Sequence, residues 1–248
     1  RSELKDYQNF QNNNSYTSQV IMLTPPKNKN NYFVRANIWP SKEDYLTQIN
    51  GEDAFFYHKP HDHNFNFLTV GYLGSGYWSN YYEYDYSKVI GYPNEEVDLK
   101  FIERSNLSEG KVMLYRAHKD VHDQLPADKF SISLNVMEST LRPLITDQYA
   151  FNTKTKKIKN LLNRHNALII MRAALIFGDE NAMDIVEHIS KNHLLETVRM
   201  AAIDAIALSN HNIENRMEVY ELAAKNDTFF VSRNSEFRLL QIKGQHYD

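Results

Sequence analysis

The feature that most limits how this chain can fold is a change of pattern near residue 150. The 16 Tyr and 13 Phe of the chain concentrate before it, together with nearly all the glycine and proline. Aromatic enrichment with frequent turn residues indicates strands. After Phe151 the composition turns to Ala, Leu, Ile, Met, Glu and Lys, which are helix formers. The expectation is an α+β protein of two domains. Residues 1–150 would form an antiparallel β-barrel domain with an irregular N-terminal segment, and residues 151–248 an all-α region of helical hairpins. The basic, polar stretch "FNTKTKKIKN" (151–160) would join them.

Bulk properties exclude several classes of function. With 248 residues, 42% hydrophobic and 24% charged, the chain can bury a core without covalent staples. A net charge of -3 does not fit a basic nucleic-acid binder. The absence of cysteine removes disulfides, thiolate zinc sites and a cysteine nucleophile. No apolar run is long enough for a membrane span. There is no glycine-rich phosphate loop and no Gly-x-Ser-x-Gly elbow. The start, "RSELK", lacks the pattern of a leader, so a cytoplasmic location is expected.

In the first part, "NYFVRANIW" reads as a strand and "SKEDYLTQI" as a short helix capped by Ser41. "EDAFFYHK" (52–59) reads as a strand running into "HKPHDHNFNFLTVGYLGSG". There, period two places His61, His63, Phe65, Phe67 and Thr69 on one face, and Leu68, Val70 and Tyr72 on the other. A turn follows at Gly71, Gly74 and Gly76, then a strand pair in 77–92. Residues 97–138 read as three strands separated by turns at 108–110 and 125–128. Short strands with regular turn signals make a sandwich or small barrel.

In the second part, 165–193 can be laid over 196–227, with Ala167 on Val198, Ala174 on Ala205 and Phe177 on Leu208. Each unit is a helix–turn–helix with a period of α-solenoid type, and "ETVRMAAIDAIAL" resembles the first helix of a HEAT repeat. A plain helical cap on the β part accounts for the same pattern. His165, His188, His193 and His211 belong to this region and are expected in solvent.

His61 and His63 share a parity, so their imidazoles project to one side, as two ligands of one metal ion would. Further histidines come sixty residues later in "YRAHKDVHDQ", at His118 and His122, and His122 lies between a turn and the strand "FSISLNV". This layout resembles the cupin superfamily over residues 52–140. "PHDHNFNFLTVGYLGSGY" and "VHDQLPADKFSISLNVM" are similar to the two motifs of its cysteine dioxygenase-like thiol dioxygenases. The resemblance implies a metal site of His61, His63 and His122. The usual cupin glutamate would fall at Phe67 or Leu68, both apolar. It also implies Fe(II), although three histidines suit other divalent transition metals. The activity implied is that of an iron-dependent oxygenase, dioxygenase-like, on a small amino-acid-like or peptide-borne substrate. Without cysteine, the thioether cross-link of some members cannot form.

Around this site Arg116, favoured over Arg104, is the candidate carboxylate anchor, with pairing inside the fold as its plainer alternative, and Tyr115, Tyr57 and Tyr82 are candidate pocket walls. Asp62, Asp120 and Asp123 are groups to orient an imidazole. His58 and His118 are expected outside the ligand set. The competing reading is a non-catalytic metal-binding cupin whose helical tail binds a protein partner. Neither reading involves nucleic acid or a membrane.

Overall fold

The computed structural model describes residues 11, 14, 16–17, 19–24, 31–140, 146–163, 166–179 and 181–244. Much of the Asn-rich and Pro-rich N-terminal sequence lies outside that set, as does His165. The chain divides into a β-rich unit and a helical unit.

The β-rich unit holds strands β1 (Val20–Thr24), β2 (Tyr32–Trp39), β3 (Phe67–Leu73), β4 (Trp78–Glu83), β5 (Lys100–Asn106), β6 (Val112–Tyr115), β7 (Asp120–Leu125), β8 (Ser131–Glu138), β9 (Gln148–Asn152) and β10 (Lys157–Asn163). One antiparallel sheet has the order β1-β2-β8-β3-β6, a second has β5-β4-β7, and β9 and β10 form a hairpin. His61 bridges His122 of β7 on one side and Ala150 of β9 on the other, linking the second sheet to the hairpin.

The two sheets face each other across an aromatic core. Phe67 of β3 stacks on Tyr115 of β6 at 4.5 Å between ring centroids, and Tyr115 meets Tyr81 of β4 at 6.0 Å. Trp39, Tyr57 and Tyr77 fill the neighbouring space. Their polar tips are satisfied, as a buried Trp or Tyr requires: Trp39 Nε1 donates to Ser133 Oγ at 2.9 Å, and the Tyr57 hydroxyl to the Pro40 carbonyl at 2.8 Å.

The expected barrel does not close. The chain passes between sheets through irregular corners, which interrupt the hydrogen-bond ladder. At the corner after β3, Gly76 has φ of 77°, and a Cβ there would stand 1.9 Å from the Leu107 carbonyl oxygen, so only glycine fits.

Local readings shift in instructive ways. Helix α1 (Tyr45–Asn50) is capped by Asp44, whose side chain accepts from the Leu46 amide, in place of Ser41. Residues 52–59 form no strand: Glu52–Phe55 is a 3-10 turn, and Phe56 and His58 are left-handed at φ of 62° and 56°. Residues 77–92 contain one strand, β4, followed by a 3-10 turn at Tyr86–Lys88. Residues 97–138 contain four strands, because His118, at φ of 59°, breaks the run between β6 and β7. The stretch read as a junction (151–160) is the β9–β10 turn. Asn152 Oδ1 accepts there from the Lys154 and Thr155 amides at 3.0 and 3.1 Å.

The helical unit comprises α2 (Ala167–Phe177), α3 (Asn181–Asn192), α4 (Glu196–Ser209), α5 (Ile213–Asn226) and α6 (Phe229–Gly244). The first four match the two expected hairpins, and α6 extends them. The alanines of α4, at 201, 202, 205 and 207, are buried and let α2, α3, α5 and α6 approach it closely. Asp204 of α4 accepts from the Tyr220 hydroxyl at 2.9 Å and from Arg238 at 3.2 Å, tying three helices together. No helix among the described residues is long and apolar enough to cross a membrane.

Candidate metal centre

His61 and His63 sit on an irregular segment before β3, so the strand expected from His61 onward begins only at Phe67. That segment is nevertheless firmly fastened. The buried Asp62 carboxylate accepts from the Tyr84 hydroxyl at 2.6 Å and the Tyr149 amide at 2.7 Å. The His61 and His122 backbones exchange hydrogen bonds at 3.1 and 3.0 Å, and the His118 amide donates to the His63 carbonyl at 2.8 Å. The alternate positions 61 and 63 therefore still point to one side, toward His122 in the middle of β7.

The three imidazoles are buried and converge through Nε2. His63 Nε2 lies 3.1 Å from His122 Nε2, which lies 3.2 Å from His61 Nε2. Among the described residues this trio is the one cluster of ionisable side chains able to hold a metal, with ligand atoms within 4.8 Å of one another. Two nitrogens bound to one ion at about 2.1 Å stand roughly 3.0–3.4 Å apart, so the spacing fits a shared metal. His61 Nδ1 is 2.6 Å from the Lys59 carbonyl oxygen, which requires the proton on Nδ1 and leaves the Nε2 lone pair facing the cluster. Nδ1 of His63 and of His122 are buried without a protein partner. Burial pulls His61 down to about 4 and holds His63 and His122 well below the ordinary histidine range. All three are neutral near pH 7, the form a metal needs. The three Nε2 atoms crowd together, and a divalent cation would take a lone pair from each.

The trio lines a cavity of about 330 Å³ in the β-rich unit, together with Arg35, Asn37, Phe65 and Gln124. Arg35 of β2 is 8% exposed, and its guanidinium carbon lies 4.5 Å over the Tyr16 ring. Arg35 Nε and Asn37 Oδ1 are buried without a protein partner. Such atoms call for a water or a ligand. The signal for them stood in "YFVRANIW", where an arginine and an asparagine of equal parity interrupt an apolar strand.

The other expected site residues fall elsewhere. Tyr115 is buried behind the imidazoles, its ring 4.6 Å from His122 and its hydroxyl donating to Tyr81 at 3.1 Å, and it is not part of the cavity lining. Arg116 is also absent from the lining. Its guanidinium is held by Asp120 and Glu83, with Nε 3.0 Å from Asp120 Oδ2, so the favoured anchor is engaged in a surface ion pair. Arg104 lies 5.6 Å over the Trp78 ring, Tyr82 packs on Phe101, and Asp123 accepts from Asn80 at 3.4 Å. His58 pairs with Glu52 at 2.9 Å, and His118 stacks on Tyr86. His188 and His211 are exposed, whereas half-buried His193 accepts from the Leu195 amide at 3.1 Å.

No family model matches the chain, and no curated protein does. Among solved structures it is similar to hydroquinone 1,2-dioxygenase from Sphingomonas sp. TTNP3, at 10% identity over 51% of this chain and 70% of that one, TM-score 0.32. It is also similar to a cupin domain from Bordetella pertussis Tohama I, at 10% identity over 50% of this chain and 98% of that one, TM-score 0.28. Likeness at that level assigns neither fold nor activity. The site rests on the chain's own geometry.

Proposed function

We propose that the β-rich unit is a mononuclear non-haem iron oxygenase of cupin type, acting on a small anionic substrate. The observation that carries this reading is one cavity holding both faces of the chemistry: three neutral, convergent imidazoles and a buried arginine with an unpartnered Nε. His61, His63 and His122 would hold the ion, and a ferrous ion supplies electrons and open positions for O₂ and for a substrate donor atom. The trio brings no negative charge, so an anionic donor such as a thiolate complements it. Arg35 takes the substrate's carboxylate through its guanidinium fork. Asn37 fixes a polar group beside it, and Trp39, Phe65 and Phe67 keep bulk water out. The cavity volume is at the lower end for ligand sites, which suits a free amino-acid-sized molecule.

The test is O₂ uptake by ferrous-loaded protein across a panel of small thiols with and without a carboxylate. Uptake is expected with a carboxylate-bearing thiol, absent in His122→Ala, and shifted to higher KM in Arg35→Met. If every thiol leaves uptake at the level of the iron-loaded blank, the thiol assignment falls.

A further inference from the structure

Behind the imidazoles the aromatic core carries a second pattern, made of side chains that give up electrons. Tyr115 of β6 sets its ring 4.6 Å from that of His122. Its hydroxyl donates to the Tyr81 hydroxyl at 3.1 Å, and Tyr81 donates in turn to Met113 Sδ at 3.2 Å. Met113 and Tyr115 are two positions apart on β6, so one face of the strand presents both. Tyr115 and Tyr81 are buried and Met113 is half-buried, so the series runs outward from the metal centre. The Tyr77 hydroxyl lies 3.4 Å from that of Tyr115, and Tyr77 lines the cavity.

Packing alone does not call for these hydroxyls. Phe67 stacks on Tyr115 with 5° between the ring planes, so a plain phenyl ring suits this layer. Burying a hydroxyl costs free energy that only a good hydrogen bond offsets, and the thioether that ends the series is a weak acceptor. What phenol and thioether share, and phenyl lacks, is ready oxidation.

We infer that Tyr115, Tyr81 and Met113 form a relay that draws oxidising equivalents away from the histidines when an oxidant arises at the metal without substrate. The inference rests on the proposed iron site. The oxidant is hydrogen peroxide, O₂ reduced by two electrons. Its conversion to two waters takes two electrons and two protons. Tyr115 gives one of each and becomes a neutral phenoxyl radical. Its electron leaves across the His122 contact, and its proton leaves through the Tyr77 hydroxyl into the cavity. Tyr81 then hands a hydrogen atom to Tyr115 along their hydrogen bond, and Tyr115 gives the second electron and proton. Met113 restores both phenols: its sulfur takes an oxygen from water and releases two electrons and two protons as it becomes the sulfoxide, the reversible rung of methionine oxidation. In sum, one peroxide and one thioether become one water and one sulfoxide, with both tyrosines returned.

The test treats ferrous-loaded protein with one equivalent of hydrogen peroxide, beside a zinc-loaded sample that measures direct oxidation. Freeze-quenched electron paramagnetic resonance should show a tyrosyl radical in the ferrous sample alone. Peptide mass analysis should find the added oxygen mainly on Met113. Tyr115→Phe, whose ring can keep the stack on Phe67, should lose most of the radical and raise oxygen addition at His61, His63 and His122 several-fold. Tyr81→Phe should keep a radical and lower Met113 oxidation several-fold. Equal Met113 oxidation in the ferrous and zinc samples would mean direct attack from solvent and overturns the inference. Histidine oxidation unchanged in Tyr115→Phe overturns it too. None of these measurements uses a thiol, so failure of the thiol assignment leaves them standing. A chain that takes up no iron by elemental analysis ends the iron reading and the relay together, whereas an iron-loaded chain without the radical ends the relay alone.

Discussion

The two faces of the five-stranded sheet belong to the same strands and differ in polarity: the inner one sets polar groups among Trp39, Phe67, Tyr115 and Met137, whereas the outer one is mostly aliphatic. Toward the core, alternate positions hold Arg35, Asn37, Thr69, Ser133 and Asn135, all buried. Away from it they hold Val34, Ala36, Leu68, Val136 and Leu114. In a sheet that simply covers a core, the inner face is apolar and the outer one polar. Part of the inner polarity is settled internally: Thr69 Oγ1 donates to Asn135 Oδ1 at 2.7 Å, and Ser133 receives Trp39. Two atoms, Arg35 Nε and Asn37 Oδ1, have no protein partner, and burying such atoms unpaired is unfavourable. On the inner face, the unpartnered Arg35 Nε and Asn37 Oδ1 are the groups that the proposed function assigns to an anionic substrate.

The largest way to break this contrast is to remove its chemical centre. Replacing His61 and His63 by Ala should take metal content from about one ion per chain to none, read by elemental analysis, with the far-ultraviolet circular dichroism unchanged. Retained metal would move the site elsewhere. A second effect needs only the metal-free protein. His61, held down to about 4 in the folded state, titrates at its ordinary value near 6.5 once unfolded. The unfolded chain thus binds more protons between those values. The stability due to neutral His61 is full above about pH 6.5 and is lost as pH falls toward 4, a change on the order of 3 kcal/mol. His63 and His122 add in the same direction. Urea midpoints measured near pH 7 and pH 5 should differ accordingly, and His61→Gln should flatten the slope. An unchanged midpoint in the native chain would mean that the trio accepts protons while folded.

What the sequence disclosed, and what it did not, follows from the range of the interactions. His61 and His63 were legible because equal parity survives even on an irregular segment, and His122 was added to them by the cupin resemblance. The division into strand-rich and helical parts was legible from composition. The strand proposed at 52–59 was not there, since its aromatic residues serve a 3-10 turn whose left-handed Phe56 and His58 are fixed by tertiary contacts. The hairpin at 148–163 was missed because "FNTKTKKIKN" carries its polarity on an Asx-type turn, which resembles a linker in composition alone. The overlay of the two helical hairpins matched residue types but not surroundings. In α2, Ile169, Ile170 and Phe177 are exposed, whereas α4 is buried along most of its length. Arg35 escaped notice because its partners lie far along the chain, while Arg116 drew attention by standing near His122.

The smallest effects compare those two arginines, and they sharpen the contrast between a group built for a ligand and one built for the surface. Arg116 is 45% exposed on its side chain and paired with Asp120 and Glu83. Water and salt screen such a pair, so Arg116→Ala should lower stability by about 1 kcal/mol or less and leave substrate affinity alone. Burial desolvates Arg35 and lowers its pKa against the opposing pull of Tyr16, and its Nε has no protein partner. Substituting a flexible apolar side chain of similar length removes that burden. Arg35→Met should therefore leave stability equal or raise it by about 1–2 kcal/mol while weakening binding of an anionic ligand. Thermal melts and ligand titrations on both variants read the two quantities separately. A clear loss of stability in Arg35→Met would make its guanidinium a structural element of the sheet, and the anchor would have to be sought among the amides of Asn37, Gln124 and Asn135.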